Sequence, residues 1–351
     1  MLTVGVDVGG TTVRAGVVDK YGDILDVTRT DTPAEERALE DVVVDAVTEL
    51  THRHRVTAVG LAVAGFVAED RRTVRFAPHL AWRGAPVADR IAGRVDLPVI
   101  LEHDVNAAAL GEHRFGAARG ARVAVMIALG TGIGGALLQD GVLFRGAYGV
   151  APEFGHLRVL PDGRPCSCGK TGCWERYCSG TALATTASEL AARFPGETVL
   201  AGVGHLTGRR VAAAARDGDP VAEMAMAELA RWLGEGLALI ADLYDPDLVV
   251  IGGGVSESAA LFLDDAREHY ARVLTGAGHR PLARIRSAQL GGDAAIVGAA
   301  INAAEVMAEH RSLMLVTGPI DGHANGQVDG QLDDHGNGRD RARRTVRSRR
   351  R

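Results

Sequence analysis

The sequence predicts an α/β protein of two lobes with a cleft between them. Strand and helix patterns alternate through the first third of the chain. There is also an internal echo: residues 7–19 lie without gaps on residues 128–140, and each stretch reads as strand, Gly/Thr turn, strand, tight turn. Between the copies, residues 116–120 are small and flexible, as a boundary requires.

Residues 2–8, 12–18 and 24–30 read as strands, the last two joined by a turn at residues 19–22. Pro33, Glu35 and Glu36 open a helix, with Asp31 or Thr32 as its cap, and Leu39, Val43, Val47 and Leu50 keep helical spacing. Residues 56–63 form a strand ending at Ala64 and Gly65, residues 98–101 a short strand, and residues 104–115 a helix capped by Asp104. The second copy opens on a strand at residues 122–129. A long amphipathic helix at 220–244 precedes a buried strand at 248–251, which Gly252, Gly253 and Gly254 break. An Ala-rich helix at residues 294–310 closes the structure onto the first lobe. The expected domains are residues 1–117 with that closing helix, and residues 118–293. Residues 318–351, rich in Gly, Asp, His and then Arg, cannot bury a core and read as a disordered tail.

Composition bounds the function classes. With 46% hydrophobic and 24% charged residues in 351, the body is globular. The longest apolar run, Val123–Leu129, falls far short of the roughly 20 residues of a membrane span. Nothing at the N-terminus reads as a signal peptide. The net charge is −5 even though residues 339–351 hold eight arginines against one aspartate, so the body is acidic and not a nucleic-acid binder. Three of the four cysteines fall within eight residues, which points to metal binding in a reducing compartment, the cytoplasm.

Gly130, Gly132 and Gly135 satisfy the nominal dinucleotide fingerprint, but no helix follows them. An apolar run, Asp140-Gly141 and a second apolar run come next, which is a hairpin signal. Such a strand-to-strand turn still binds phosphate, because unshielded backbone N–H groups form a donor nest and the hydroxyl of Thr131 adds another donor. Gly9, Gly10, Thr11 and Thr12 offer the same nest with a carboxylate, Asp7. Beside phosphates that carboxylate requires a cation, so Asp7 is a candidate for Mg²⁺. No P-loop sequence occurs. Asp104, where a strand meets a helix, is either a helix cap or a general base taking a hydroxyl proton in phosphoryl transfer.

His156, Cys166, Cys168 and Cys173 match the Cys₃His composition of a closed, structural zinc site. Zinc on one imidazole nitrogen leaves the other N–H of His156 free to donate. Together with Glu153 and Glu175 it suits the hydroxyls of a sugar. Cys178 is left over and packs as a small hydrophobe.

The motif from Asp7 to Arg14, the turn at Gly130, Thr131 and Gly132, the Glu153 to His156 run, the Cys-x-Cys-x₄-Cys spacing and Glu175 together resemble the ROK family of repressors, open reading frames and sugar kinases. The similarity spans about residues 4–303 and is strongest toward its bacterial ATP-dependent glucokinases. This resemblance implies an actin-like, ribonuclease-H-like two-lobed fold that closes over sugar and ATP. It implies phosphorylation of glucose to glucose 6-phosphate, with Asp104 as base on the 6-hydroxyl. Gly65, His103, Glu153, His156 and Glu175 would contact the sugar. Gly9 to Thr12 and Gly130 to Gly132 would bind phosphate, Gly253 and Gly254 would lie near adenosine, and zinc would sit on His156 and the three cysteines. A homodimer or homotetramer is implied. His103 departs from the family's usual Asn, which bears on sugar selectivity. The alternatives are a kinase for N-acetylmannosamine, N-acetylglucosamine or fructose, polyphosphate as donor, or a sugar-binding regulator without turnover. The phosphate motif starts at Asp7, leaving no room before it for a repressor's helix-turn-helix.

Overall fold

The computed structural model describes residues 1–316. Its first part runs β1 (Leu2–Val8), β2 (Thr12–Val18), β3 (Ile24–Asp31), α1 (Glu36–Arg53), β4 (Val56–Val63), β5 (Phe66–Val67), β6 (Val74–Phe76), β7 (Arg83–Ala85), α2 (Val87–Val95), β8 (Val99–His103) and α3 (Asp104–Phe115). Its second part runs β9 (Val123–Leu129), β10 (Ile133–Gln139), β11 (Val142–Leu143), α4 (Gly180–Arg193), α5 (Gly208–Arg216), α6 (Pro220–Tyr244), β12 (Leu248–Gly252), α7 (Leu263–Val273), β13 (Arg284–Ser287) and α8 (Ala294–Val316). The expected disordered tail at 318–351 lies outside the described residues.

The internal echo is the topology. One sheet has the order β3-β2-β1-β4-β8 and the other β11-β10-β9-β12-β13. In both, an antiparallel meander of three strands continues into two parallel ones. The Asp140-Gly141 hairpin forms as expected, with φ of 50° and 80°, the positive pair that a tight two-residue turn requires. Strands β5, β6 and β7 make a third, small sheet that the sequence did not announce, being only two or three residues each.

Alternation along β1 sorts its two faces. Val4, Val6 and Val8 are wholly buried with Leu39, Val43, Val47 and Leu50 of α1. The opposite face carries Gly5 and Asp7. A Cβ on Gly5 would lie 1.9 Å from the Ile296 carbonyl oxygen, so α8 rides directly on the strand backbone. The Thr3 hydroxyl donates to the Ala300 carbonyl at 3.0 Å. The same helix presses on α3, where a Cβ on Gly298 would lie 1.6 Å from the Ala107 carbonyl oxygen. In the second part, Val125, Ile127 and Leu129 pack against Leu229, Leu233 and Leu237 of α6, with Phe154 and Trp174 in the same core. Asp219 caps α6 by accepting from Val221 and Ala222 at 3.1 and 2.9 Å, and Pro220 takes the first helical position.

Two capping expectations fail. Helix α1 begins at Glu36 after Glu35, without a side-chain cap; the Thr32 hydroxyl donates instead to the Gly9 carbonyl at 2.7 Å, tying the first Gly/Thr turn. Nor does Asp104 cap α3. It is already helical, His103 being the flanking residue, and Asp104 Oδ1 accepts from the neighbouring Val105 N–H at 2.8 Å. No described helix is long and apolar enough to cross a membrane.

Candidate active site and metal centre

Strands β1, β4 and β8 are parallel and adjacent, so their carboxyl ends share one edge, where ligands of open α/β sheets bind. That edge brings Asp7 and Asp104 together. Asp7 stands opposite Arg14 in the β1–β2 register. The Arg14 guanidinium donates to the Gly292 carbonyl at 2.7 Å and pairs with Asp293. Burial, and next the Asp104 charge, push the Asp7 carboxyl up to about 7, with Arg14 pulling the other way. Two unneutralised acids beside a Gly/Thr turn suit a cation. The turn itself is closed by Gly9 N–H donating to the Thr12 carbonyl at 3.0 Å.

Asp104 Oδ1 lies 3.2 Å from His103 Nε2. Immediately before it, Glu102 is buried, 3% exposed, and fully engaged. Its Oε2 accepts from Arg145 Nε and Nη2 at 2.9 and 2.7 Å, and Arg71 Nη2 is 3.5 Å away. Its Oε1 accepts from Asn106 Nδ2 at 2.9 Å. This network bolts the segment that follows β11 to β8, the strand that leads into Asp104. Sequence reading passed over Glu102, Arg71, Asn106 and Arg145. The polar run at residues 102–106 was a visible signal, whereas Arg145, 43 residues from Glu102, had none.

Gly65, His103 and Glu153 line one small cavity with Phe66, Asn106 and Gly149. Burial chiefly raises the Glu153 carboxyl, against the lowering influence of His103 and His156. His156 adjoins it, with Nε2 4.0 Å from Glu153 Oε2. Glu175, expected on the sugar side, turns to the thiols: its Oε1 accepts from Cys166 Sγ at 3.1 Å and is 3.7 Å from His156 Nδ1. Its Oε2 reaches the second turn, accepting from Ile133 N–H at 3.4 Å. A Cβ on Gly132 would stand 2.4 Å from that oxygen, so the turn passes the Glu175 loop at glycine distance.

His156, Cys166, Cys168 and Cys173 offer ligand atoms all within 4.8 Å of one another. Cys168 Sγ and Cys173 Sγ are 3.6 Å apart, and Cys166 Sγ is 3.7 Å from His156 Nδ1. Tetrahedral zinc with sulfur at about 2.3 Å separates its ligands by about 3.8 Å, so the donor set fits that ion. His156 turns Nδ1 to the cluster and Nε2 to Glu153. Cys178 is buried apart from them with its thiol pushed up by burial, the packing role expected of it.

A cavity of about 1060 Å³, ample for a nucleotide, opens beside the second turn. Gly130, Thr131 and Gly254 lie on its wall, with Gly180, Thr181 and Ser188 of α4, and Arg216. Gly253 stands behind, against Leu129. Among the described residues, Gly9 to Thr12 lie off this wall; Gly10 packs against His79. The α4 and α5 contributions carried no motif and were not foreseen.

Comparison with known proteins follows the same lines. The ROK family model matches residues 3–306. Glucokinase of Streptomyces coelicolor is 46% identical over 305 residues, which cover 85% of this chain and 96% of that one. A crystal structure of a ROK family glucokinase from Streptomyces griseus in complex with glucose and AMPPNP superposes with a TM-score of 0.79 at 46% identity, over 87% of this chain and all of that one. The ROK hexokinase of Thermus thermophilus gives a TM-score of 0.75 at 33% identity, over 88% of this chain and all of that one.

Proposed function

The chain belongs to the ROK family, and from that premise we propose that it phosphorylates glucose to glucose 6-phosphate with ATP as donor. One observation carries the reading: the match, at 46% identity over 87% of this chain, to a glucokinase solved with glucose and AMPPNP. The geometry supports it with Asp104 next to His103, which lines a small cavity with Gly65 and Glu153, and with a nucleotide-sized cavity beside a Gly/Thr turn.

In this reading Asp104 accepts the proton of the sugar 6-hydroxyl as that oxygen bonds to the γ-phosphorus. The bond from γ-phosphorus to the bridging oxygen breaks, ADP leaves, and Asp104 returns its proton to water. Gly65, Glu153 and His156 hold sugar hydroxyls. Gly9 to Thr12, Gly130, Thr131 and Gly132 present backbone N–H groups to the phosphates, and Gly253 and Gly254 back the adenosine. Mg²⁺ on Asp7, directly or through water, would neutralise phosphate charge. Zinc on His156, Cys166, Cys168 and Cys173 would fix the His156 ring and with it the Glu175 loop. Four free thiols suit a reducing, cytoplasmic setting, and assembly into two or four copies belongs to the same proposal.

The test is ADP release with Mg-ATP across glucose, mannose, fructose, N-acetylmannosamine and N-acetylglucosamine. Glucose should give the highest kcat/KM. An acetamido sugar in first place would overturn the substrate, and silence on all five would overturn the kinase.

A further inference from the structure

We propose that Cys168 and Cys173 are a site of reversible oxidation. A hydroperoxide joins their sulfurs in a disulfide and so takes two of its four donors from the Cys₃His set. The consequence for catalysis rests on the reading of His156 as a sugar contact; the oxidation itself does not.

Geometry singles out this pair. Their Sγ atoms are 3.6 Å apart, and a disulfide brings them to about 2.05 Å. The loop is already folded back on itself between them. Cys166 N–H donates to the Lys170 carbonyl at 2.8 Å, and Pro165 and Thr171 pair as a single antiparallel bridge. Gly169 and Gly172 take φ of 88° and 71°, so the chain turns twice on its way from one cysteine to the other. Exposure decides which sulfur meets the oxidant. Cys168 is exposed, whereas Cys166, Cys173 and Cys178 are buried. Cys166 is engaged elsewhere, its Sγ donating to Glu175 Oε1 at 3.1 Å, and Cys178 faces the Leu229 carbonyl at 3.8 Å.

A cysteine that ligates zinc does so as thiolate, which is also the nucleophilic form. The chemistry balances in two steps. Cys168 Sγ attacks one oxygen of the hydroperoxide, the O–O bond breaks, and the departing oxygen takes a proton and leaves as water or alcohol. Cys173 Sγ then attacks the sulfur of the resulting sulfenic acid, the S–O bond breaks, and the hydroxide takes a proton and leaves as water. Each sulfur gives up one electron, and the peroxide gains both. In a reducing compartment such a bond is transient, because thiol reductants return the two electrons. His156 and Cys166 are the donors that remain, and Nδ1 of His156 loses the ion that would fix its ring. The same loop also holds His156 through its backbone, where Lys170 Nζ donates to the His156 carbonyl at 2.6 Å.

The test treats the full-length, zinc-loaded protein with hydrogen peroxide, reads free zinc with a colorimetric chelator, and digests the product with trypsin without reduction. Trypsin cuts after Arg158, Lys170 and Arg176 but not between Arg164 and Pro165. The proposed disulfide therefore joins peptides 159–170 and 171–176, whereas a bond between Cys166 and Cys168 stays inside the first. Fragment ions at Ser167 tell which of the two cysteines in the first peptide is joined. The linked peptides, lighter by two hydrogens than their sum, should appear in step with release of the zinc. The glucose KM should rise about 10-fold or more, and dithiothreitol with added zinc should restore both. Cys178→Ala should oxidise as wild type does. Zinc retained in peroxide would overturn the proposal. So would zinc released with Cys168 as sulfinic acid and no linked peptides, or a bond through Cys166. Linked peptides and free zinc with an unchanged glucose KM would uphold the disulfide site and overturn the sugar role of His156. The zinc and peptide readouts need no sugar, so failure of the kinase reading is told apart from failure of this one.

Discussion

Asp7 gives the sharpest physical prediction. Its carboxyl is raised from 3.8 to about 7 by burial and by Asp104. Native protein therefore binds a proton at this site, across pH 4 to 7, that unfolded chain releases. Stability is full below the ordinary value near 4 and falls as pH rises toward 7. A gap of about three pH units at about 1.36 kcal/mol each sets the loss at about 4 kcal/mol. Asp7→Asn removes it. Without Mg²⁺ or nucleotide, the variant should exceed wild type by about 4 kcal/mol at pH 8 and by about 2 kcal/mol at pH 5. Spread over the described chain, the difference at pH 8 is about 6 °C in melting temperature. Calorimetry of both proteins at the two pH values reads the difference directly, and titrating groups that do not face Asp7 cancel in it. Turnover should meanwhile collapse, as the role proposed for Asp7 toward Mg²⁺ requires. A variant no more stable than wild type at pH 8, or a difference that ignores pH, would refute the reasoning.

Cys168→Ser should release zinc, seen as metal content falling from one equivalent per chain, and raise the glucose KM about 10-fold or more through the His156 loop; full zinc retention would sink that account. Arg145→Ala strips the buried carboxylate of Glu102 of its two-pronged partner and leaves Arg71, at 3.5 Å, as the cation beside it, so urea denaturation should show a loss of about 3 kcal/mol, largely restored by adding Glu102→Gln. Gly298→Ala drives a methyl into the Ala107 carbonyl, where both sides are backbone, and should cost about 3 kcal/mol or more in the same assay.

What the sequence disclosed follows from which interactions are local. The hairpins, the Gly/Thr turns and the Cys₃His set are encoded within a few residues of each other, so their chemistry could be read in place. Asp7 and Asp104 could be read as candidates because each sits at a strand end, but their proximity depends on β4 lying between β1 and β8, which only topology supplies. Arg145 was invisible because its partner is distant, and the α4 wall of the large cavity because it is an ordinary Ala- and Thr-rich helix. The two capping expectations fail for different reasons: the Thr32 hydroxyl goes to a tertiary partner, the Gly9 carbonyl, whereas Asp104 lies one residue inside its helix and takes the adjacent Val105 N–H. Glu175 stands between the thiols and the second turn, a placement that its nearness to Cys166 in sequence only half discloses.

The seating of α8 also governs how the protein is made. Gly5 and Gly60 lie against the backbone of Ile296 and Ala299, so the first sheet lacks part of its cover until residues near 300 exist. At about 5–20 residues per second, a ribosome that has just finished β8 needs roughly 10 to 40 s to reach α8. Through that interval β1 and β4 stay open on the face that α8 will seal, a hazard for sticking to other nascent chains. A stop codon anywhere before α8 would therefore leave the earliest strands, not just the last helix, uncovered where Gly5 and Gly60 receive it. The first-made half of the molecule is the last to be finished.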